Sequence, residues 1–363
     1  MRLIVVVGAR PHVVKISPLL PELKRAGMQV DLAFTGSRST SRDQEQGGTV
    51  SFFGVSLPEP RWFLDIGTGS DAATTGRAMV AFEDIFEVER PDAVMVVGDA
   101  NASLAAAISA AKAGLPVVHL EAGLRCRDLQ APEEINRVLI SRVASVHLTP
   151  TESALENLED EAIEPERIHF VGSTVAQSLL MSLNGISGLS ACTEYGLMPK
   201  GYVLGWMHHA ENLADAANLR GIIGGLSRSP LPVLIPERAG MEKALAEHDI
   251  AVPDNVKLVD AVDYFTMLAL ERDAAVIITD SSGVLVEACM LRVPCLTVRC
   301  CTELPVTIKA GANCLVPPDS KAIRAEIVAA VSRSALWAEP KRWDRAVSDR
   351  IARVLKRGIP PLT

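Results

Sequence analysis

Short runs of apolar, mostly β-branched residues recur along the whole chain, and a stretch of helical periodicity follows most of them. In the first half the strand-like runs are 2–7, 30–34, 93–97, 117–120, 147–148 and 169–171, with helical stretches at 16–26, 75–88, 103–113 and 132–144. The rhythm resumes with runs at 202–204, 232–235, 256–258, 275–279, 295–298 and 313–316, and helices at 215–226, 264–271, 283–291 and 321–331. Continuous apolar runs joined by crossover-length helices need a parallel sheet covered on both faces. The expected fold class is therefore α/β, with two doubly wound, Rossmann-like domains. Their expected bounds are 1–178 and 179–345, followed by a C-terminal helix in 346–363 that crosses back to the first domain. The Gly- and Ser-rich stretch 182–200 reads as the linker region. A length of 363 residues suits two domains. In such folds ligands bind outside the carboxyl ends of the strands, here expected in an interdomain cleft.

Charge and composition narrow the partners. The formal net charge of −8 argues against a nucleic-acid polymer, and an aromatic content of 4% argues against base- or sugar-stacking surfaces. No stretch approaches ~20 uninterrupted apolar residues, so no membrane partner is expected. The apolar start ends at Gly8-Ala9-Arg10-Pro11 without a cleavage pattern, and a cytoplasmic location is expected. The seven cysteines are odd in number, lack a C-x-x-C, and include the adjacent Cys300 and Cys301. They form neither a disulfide framework nor a zinc site, and free thiols are expected.

Three carboxylates stand at strand ends or helix starts in the first half. Asp99 follows the run 93–97 and Gly98, Glu121 follows 117–120, and Glu133 follows Pro132 at the start of a helix. Clustered acids have raised and split pKa values, so one can donate a proton while another accepts it. As competing readings, Glu133 offsets a helix dipole and Asp99 caps the helix that begins near Ala102. No D-x-D or H-E-x-x-H spacing points to a metal.

Anion-reading features accompany them. Arg10 and Lys15 follow the first strand, at a helix N-terminus where backbone N–H groups favour anions. Solvated surface cations are the alternative. In the second half, Asp280-Ser281-Ser282-Gly283 joins the run 275–279 to a helix, and Glu287 lies one turn further on the face of Gly283. The two serines and Gly283 suit a diphosphate, and Glu287 suits a ribose diol; a capped helix with a solvated glutamate is the alternative. His208 and His209 follow the run 202–204, where a phosphate-facing histidine is favoured over a metal ligand.

Together these segments resemble the UDP-N-acetylglucosamine 2-epimerases of the non-hydrolysing bacterial type. The resemblance rests on Gly8-Ala9-Arg10-Pro11 with Lys15, on Gly98-Asp99, and on His119-Leu120-Glu121-Ala122-Gly123-Leu124-Arg125. Pro132-Glu133-Glu134-Ile135-Asn136-Arg137, His208 with Glu211-Asn212, and Thr279-Asp280-Ser281 complete it. It implies the glycosyltransferase B type of two-domain fold and a homodimer. It implies catalytic roles for Asp99, Glu121, Glu133 and His208, and substrate or UDP contacts from Arg10, Lys15, Arg137, Ser281, Ser282, Gly283 and Glu287. It requires no metal and no cofactor. The implied reaction interconverts UDP-N-acetylglucosamine and UDP-N-acetylmannosamine at C2, by elimination and re-addition of UDP through a 2-acetamidoglucal. A hydrolysing relative that releases UDP and N-acetylmannosamine is the alternative outcome; a UDP-sugar-binding protein or glycosyltransferase of the same fold is the alternative class. The chain departs from the family pattern at His12, in the stretch Thr35 to Thr40, and at His209, Ala210, Pro236 to Arg238, Ser282, Leu304 and Val306. The stretch Thr35 to Thr40 lacks the pair that binds an activating UDP-sugar in the family.

Overall fold

The first apolar run, Arg2–Val7 (β1), lies inside a sheet because both of its faces are covered: Leu3 to Val6 are wholly buried and Val7 nearly so. The computed structural model describes residues 1–8, 10–36, 44–46, 49–52, 54–332 and 335–360; the side chains of residues 10, 44–46, 49, 50, 52, 210, 238 and 239 lie outside that description. The chain divides into two units, 1–181 with 341–363, and 182–340.

Unit 1 contains Gln29–Phe34 (β2), Gln44–Gln46 (β3), Thr49–Phe52 (β4), Val55–Pro58 (β5), Trp62–Phe63 (β6), Ala93–Val97 (β7), Val117–Leu120 (β8), Val146–Thr149 (β9) and Ile168–Phe170 (β10). Seven of these strands form one sheet in the order β10-β9-β8-β7-β1-β2-β6, and all of its pairs are parallel. The chain winds from β1 toward β6, returns, and then winds from β7 toward β10. The order therefore reverses between β1 and β7, the place where open α/β sheets bind ligands. The strands β3, β4 and β5 form a small antiparallel sheet that their polar composition concealed.

Unit 2 is a six-stranded parallel sheet of Val203–Trp206 (β11), Val233–Ile235 (β12), Val256–Leu258 (β13), Val276–Thr279 (β14), Cys295–Thr297 (β15) and Asn313–Leu315 (β16). Its order is β13-β12-β11-β14-β15-β16, so the reversal falls between β11 and β14. The expected architecture of two parallel-sheet α/β domains is borne out.

Three expectations need correction. The helix expected at 16–26 is two helices, Arg10–Ile16 and Leu19–Arg25, because Pro18 has no N–H with which to continue the ladder. The stretch 182–200 is more than a linker. Helix Thr174–Ile186 runs into it, and Ala191–Glu194 forms a further turn with Ala191 and Cys192 buried. The C-terminal helix expected in 346–363 occupies only Val347–Lys356, and buries Val347, Ile351, Ala352 and Leu355 at helical spacing in the core shared with Leu19, Leu20 and Leu23.

All seven cysteines are free thiols. Among the described residues, no helix is long and apolar enough to cross a membrane.

Candidate active site

Strand register brings the first carboxylates together. Val97 of β7 pairs with Leu120 of β8, so Asp99 and Glu121 leave neighbouring strand ends within one residue of the same level. The Gly98 N–H donates to the Leu120 carbonyl at 2.9 Å, and His119 Nε2 donates to the Gly98 carbonyl at 2.8 Å. Gly98 has φ +60, and a Cβ there would stand 3.4 Å from Lys15 Nζ and 3.7 Å from Glu121 Oε2. Glycine both relieves the backbone and leaves room at the centre of the cluster.

Glu121 adopts φ +65, a left-handed conformation that costs a non-glycine residue roughly 1–3 kcal/mol. Its carboxylate lies 2.6 Å from Lys15 Nζ, and both side chains are about nine-tenths buried, at 10% and 12% exposure. Asp99 receives Arg137 Nε at 2.7 Å, and its own carbonyl accepts from Asn136 Nδ2 at 2.8 Å. The helix Asn101–Lys112 is preceded by Ala100, with no side-chain cap, so Asp99 turns to Arg137 rather than capping it. Arg137 also donates to Glu134 Oε2 at 2.7 Å, and Glu134 accepts the backbone N–H groups of Cys126 and Arg127. Glu133 is half-buried in the first turn of Pro132–Val143, beside this network. A cavity of about 540 Å³ in unit 1 includes Gly8, Ala100 and Asn101 in its lining, next to these residues.

The expectation that clustering raises acid pKa values fails at Asp99. Burial opposes its ionisation, but the charges of Arg137 and Lys15 outweigh burial and hold the carboxyl below its ordinary range. Glu134 behaves alike: burial is overcome by the Cys126 N–H and the Arg137 guanidinium. Interleaved cations, not like-charge repulsion, set the balance.

The imidazoles of this unit move the opposite way. Burial pushes His12 down to about 3 with help from Lys15, His119 to about 4, and His147 to about 3. His12 Nδ1 accepts the Gly8 N–H at 3.1 Å, which assigns its proton to Nε2. His147 pairs in register with His119, and neither of its ring nitrogens has a hydrogen-bond partner among the described residues. In the folded chain these rings stay neutral far below the 6.5 at which they protonate when unfolded. Stability that is intact above pH 6.5 is therefore lost as pH falls toward 4 and 3. His147→Leu should lose about 2 kcal/mol less stability than the parent between about pH 7.5 and about pH 5 in urea denaturation. Equal losses would show that His147 contributes nothing to acid sensitivity.

In unit 2 the corresponding loops follow β11 and β14. Asp280 is buried and accepts the backbone N–H groups of His208 at 3.1 Å and His209 at 3.1 Å, and Asn212 Nδ2 at 3.0 Å. His208 Nδ1 lies 3.3 Å from Asp280 Oδ1, so the strand-end aspartate aims the exposed ring. Burial opposes ionisation of Asp280, and the His208 and Asn212 contacts lower its pKa nonetheless.

His208, His209 and Asp280 place three possible metal-ligand atoms within 4.8 Å of one another. That spread exceeds the roughly 3.4 Å between neighbouring ligands of a tetrahedral zinc, and Asp280 is already occupied by N–H donors. A hydrogen-bonded turn describes the group better than a metal centre.

Ser281 precedes the helix Ser282–Met290 without capping it, and Ser281, Ser282 and Gly283 are all partly exposed. First-turn N–H groups without a side-chain cap at a helix N-terminus suit a phosphate group. Glu287 is 5% exposed, so it is not the solvated glutamate of the alternative reading. Arg299 joins Glu211 at 3.0 Å to Glu303 at 3.4 Å.

The side chains of Arg10, Ala210 and Arg238, and residues 37–40, lie outside the described residues. Lys15 is engaged by Glu121 rather than presented as a lone surface cation. Sequence reasoning missed the buried Glu271 of the helix Tyr264–Asp273, since it follows the apolar run Leu268-Ala269-Leu270 and stands beside Arg272 and Asp273 as a charged helix end does.

The UDP-N-acetylglucosamine 2-epimerase family model matches residues 22–356. The chain belongs to that family. As a member of this isomerase family, it is 32% identical to the UDP-N-acetylglucosamine 2-epimerase of Methanocaldococcus jannaschii, over 99% of this chain and 100% of that one. It is 31% identical to a UDP-2,3-diacetamido-2,3-dideoxy-D-glucuronate 2-epimerase of Pseudomonas aeruginosa, over 87% and 88%. The crystal structure of the Methanocaldococcus jannaschii epimerase with UDP-GlcNAc and UDP superposes at a TM-score of 0.88, with 30% identity and 99% and 100% of the two chains covered.

Proposed function

We propose that this epimerase interconverts UDP-N-acetylglucosamine and UDP-N-acetylmannosamine by eliminating and re-adding UDP. One carboxylate of the set Asp99, Glu121 and Glu133 takes the C2 proton. The C1–O bond breaks, its electron pair leaves on the diphosphate, and a C1–C2 double bond forms in 2-acetamidoglucal. A proton then returns to the opposite face of C2 while a diphosphate oxygen re-adds to C1. Arg10, Lys15, Arg137, His208, Ser281, Ser282 and Gly283 are the groups that serve the sugar diphosphate. Glu287 accepts the ribose hydroxyls. Charge developing on the leaving diphosphate is met by groups held in place before reaction.

The observation that carries this reading is the pair of carboxylates at the ends of the neighbouring strands β7 and β8, Asp99 on Arg137 and Glu121 on Lys15, beside the reversal point of one sheet. Opposed proton transfers at C2 need two such groups. Product analysis tests it. UDP-N-acetylglucosamine should give a stable mixture of two nucleotide sugars. Accumulation of free UDP with free N-acetylmannosamine would select the hydrolysing alternative. The assay is run in parallel with UDP-2,3-diacetamido-2,3-dideoxy-D-glucuronate, because relatives at 32% and 31% identity carry the two names.

A further inference from the structure

Helix Tyr264–Asp273 turns an acid into the core of unit 2. Leu268, Ala269, Leu270 and Glu271 are all wholly buried. Among the described residues, neither carboxylate oxygen of Glu271 has a hydrogen-bond donor. Glu271 meets Glu287 where this helix packs on Ser282–Met290. The other titratable groups facing the pair are Tyr264, Tyr202 and Cys295, and the buried Tyr264 hydroxyl also lacks a partner among the described residues. Among the described residues, no Lys, Arg or His acts on either carboxyl.

Two ionised carboxylates here would have neither donors nor a counter-charge, a costly arrangement in the interior. One shared proton supplies both needs. Burial pushes both groups up, Glu287 to about 7, against the opposing influence of the neighbouring Tyr264 hydroxyl and Glu271 carboxyl, which favour its ionised form. Glu271 goes well above its ordinary value, driven by burial and then by the Glu287 charge.

We propose that Glu271 is a positioning residue: it keeps its proton, donates it to one carboxylate oxygen of Glu287, and so aims the other oxygen at the vicinal diol of a ribonucleoside diphosphate. This rests on the reading of Glu287 as the ribose-binding group. The arrangement makes ribose recognition depend on an acid that never touches the nucleotide.

Calorimetry of the full chain with UDP and with 2′-deoxyuridine diphosphate, at about pH 8, tests it. Glu287→Gln should weaken UDP and erase the preference for ribose. Glu271→Leu should weaken UDP roughly tenfold and shrink that preference, because the donor is gone. The same variant should melt at a higher temperature, since a buried acid becomes apolar, so binding and stability move in opposite directions. Glu271→Gln keeps an N–H donor and should restore UDP affinity to within about threefold of the parent. In the parent, UDP affinity should fall as pH drops from about 8 to about 6, when Glu287 takes a second proton for the pair. In Glu271→Gln that fall should move to higher pH, since an amide N–H donates to the Glu287 carboxylate more weakly than a carboxylic acid does.

If Glu287→Gln loses the ribose preference but Glu271→Leu keeps it, the proposal is overturned and the ribose reading survives. If Glu287→Gln changes nothing, the ribose reading fails and takes the proposal with it. Should Glu271→Leu fail to fold, the affinity and pH profile of Glu271→Gln decide, and a profile unchanged from the parent overturns the proposal.

Discussion

Glu121→Gln is expected to lose C2 proton exchange by about 10²–10⁴-fold while its UDP affinity stays within about threefold of the parent. The substitution keeps size and can keep the left-handed backbone, so the site remains assembled. It removes the proton-accepting carboxylate and leaves Lys15 beside a neutral amide. A strained φ of +65 on an acid about nine-tenths buried, stapled to an equally buried ammonium, marks a group whose direction is over-determined by its surroundings. Asp99→Asn should follow the same pattern, since Asp99 stands on the neighbouring strand end with its charge held by Arg137. Isotope exchange read by NMR, with UDP binding by calorimetry, checks both. Retained exchange in both variants would remove these residues from the chemistry.

Arg137→Met is expected to destabilise the chain by roughly 3–5 kcal/mol in urea unfolding. Its guanidinium is 6% exposed and holds two carboxylates, of which Glu134 is 1% exposed. Without it, Glu134 and Asp99 lose the charge that keeps them ionised in a buried setting. The pH sign follows from their depressed pKa values. The stability they contribute is present above the ordinary carboxylate range and is lost as pH falls through the depressed folded values. In Arg137→Met that loss should begin at higher pH. Arg137→Lys should recover part of it, since it restores charge but not the fork that spans both acids. A loss below about 1 kcal/mol would show that the network is solvated.

The two parallel sheets were legible because most buried strands read as largely apolar runs: 2–7, 93–97 and 117–120 appear in the structure with the same bounds. The split at Pro18 and the helix crossing into 182–200 were not legible. There a single proline or a Gly- and Ser-rich composition was weighed against packing that only the tertiary structure supplies. Asp99, Glu121 and Asp280 could be found as acids at strand ends, where α/β sheets present their ligand groups. The pKa directions of Asp99 and Asp280 could not, since Lys15, Arg137 and Asn212 reach them from distant positions. Glu287 was legible as a helix-face acid, but its burial against Glu271 depends on packing between two helices that lie apart in sequence.

The central claim is proton exchange at C2 of a sugar that ends still linked to its nucleotide. A proton NMR time course of UDP-N-acetylglucosamine in deuterated buffer measures it directly. The account predicts loss of the C2 proton signal, deuterium at C2 of both nucleotide sugars, and growth of the manno epimer. Unchanged C2 proton intensity with folded, UDP-binding protein would contradict it.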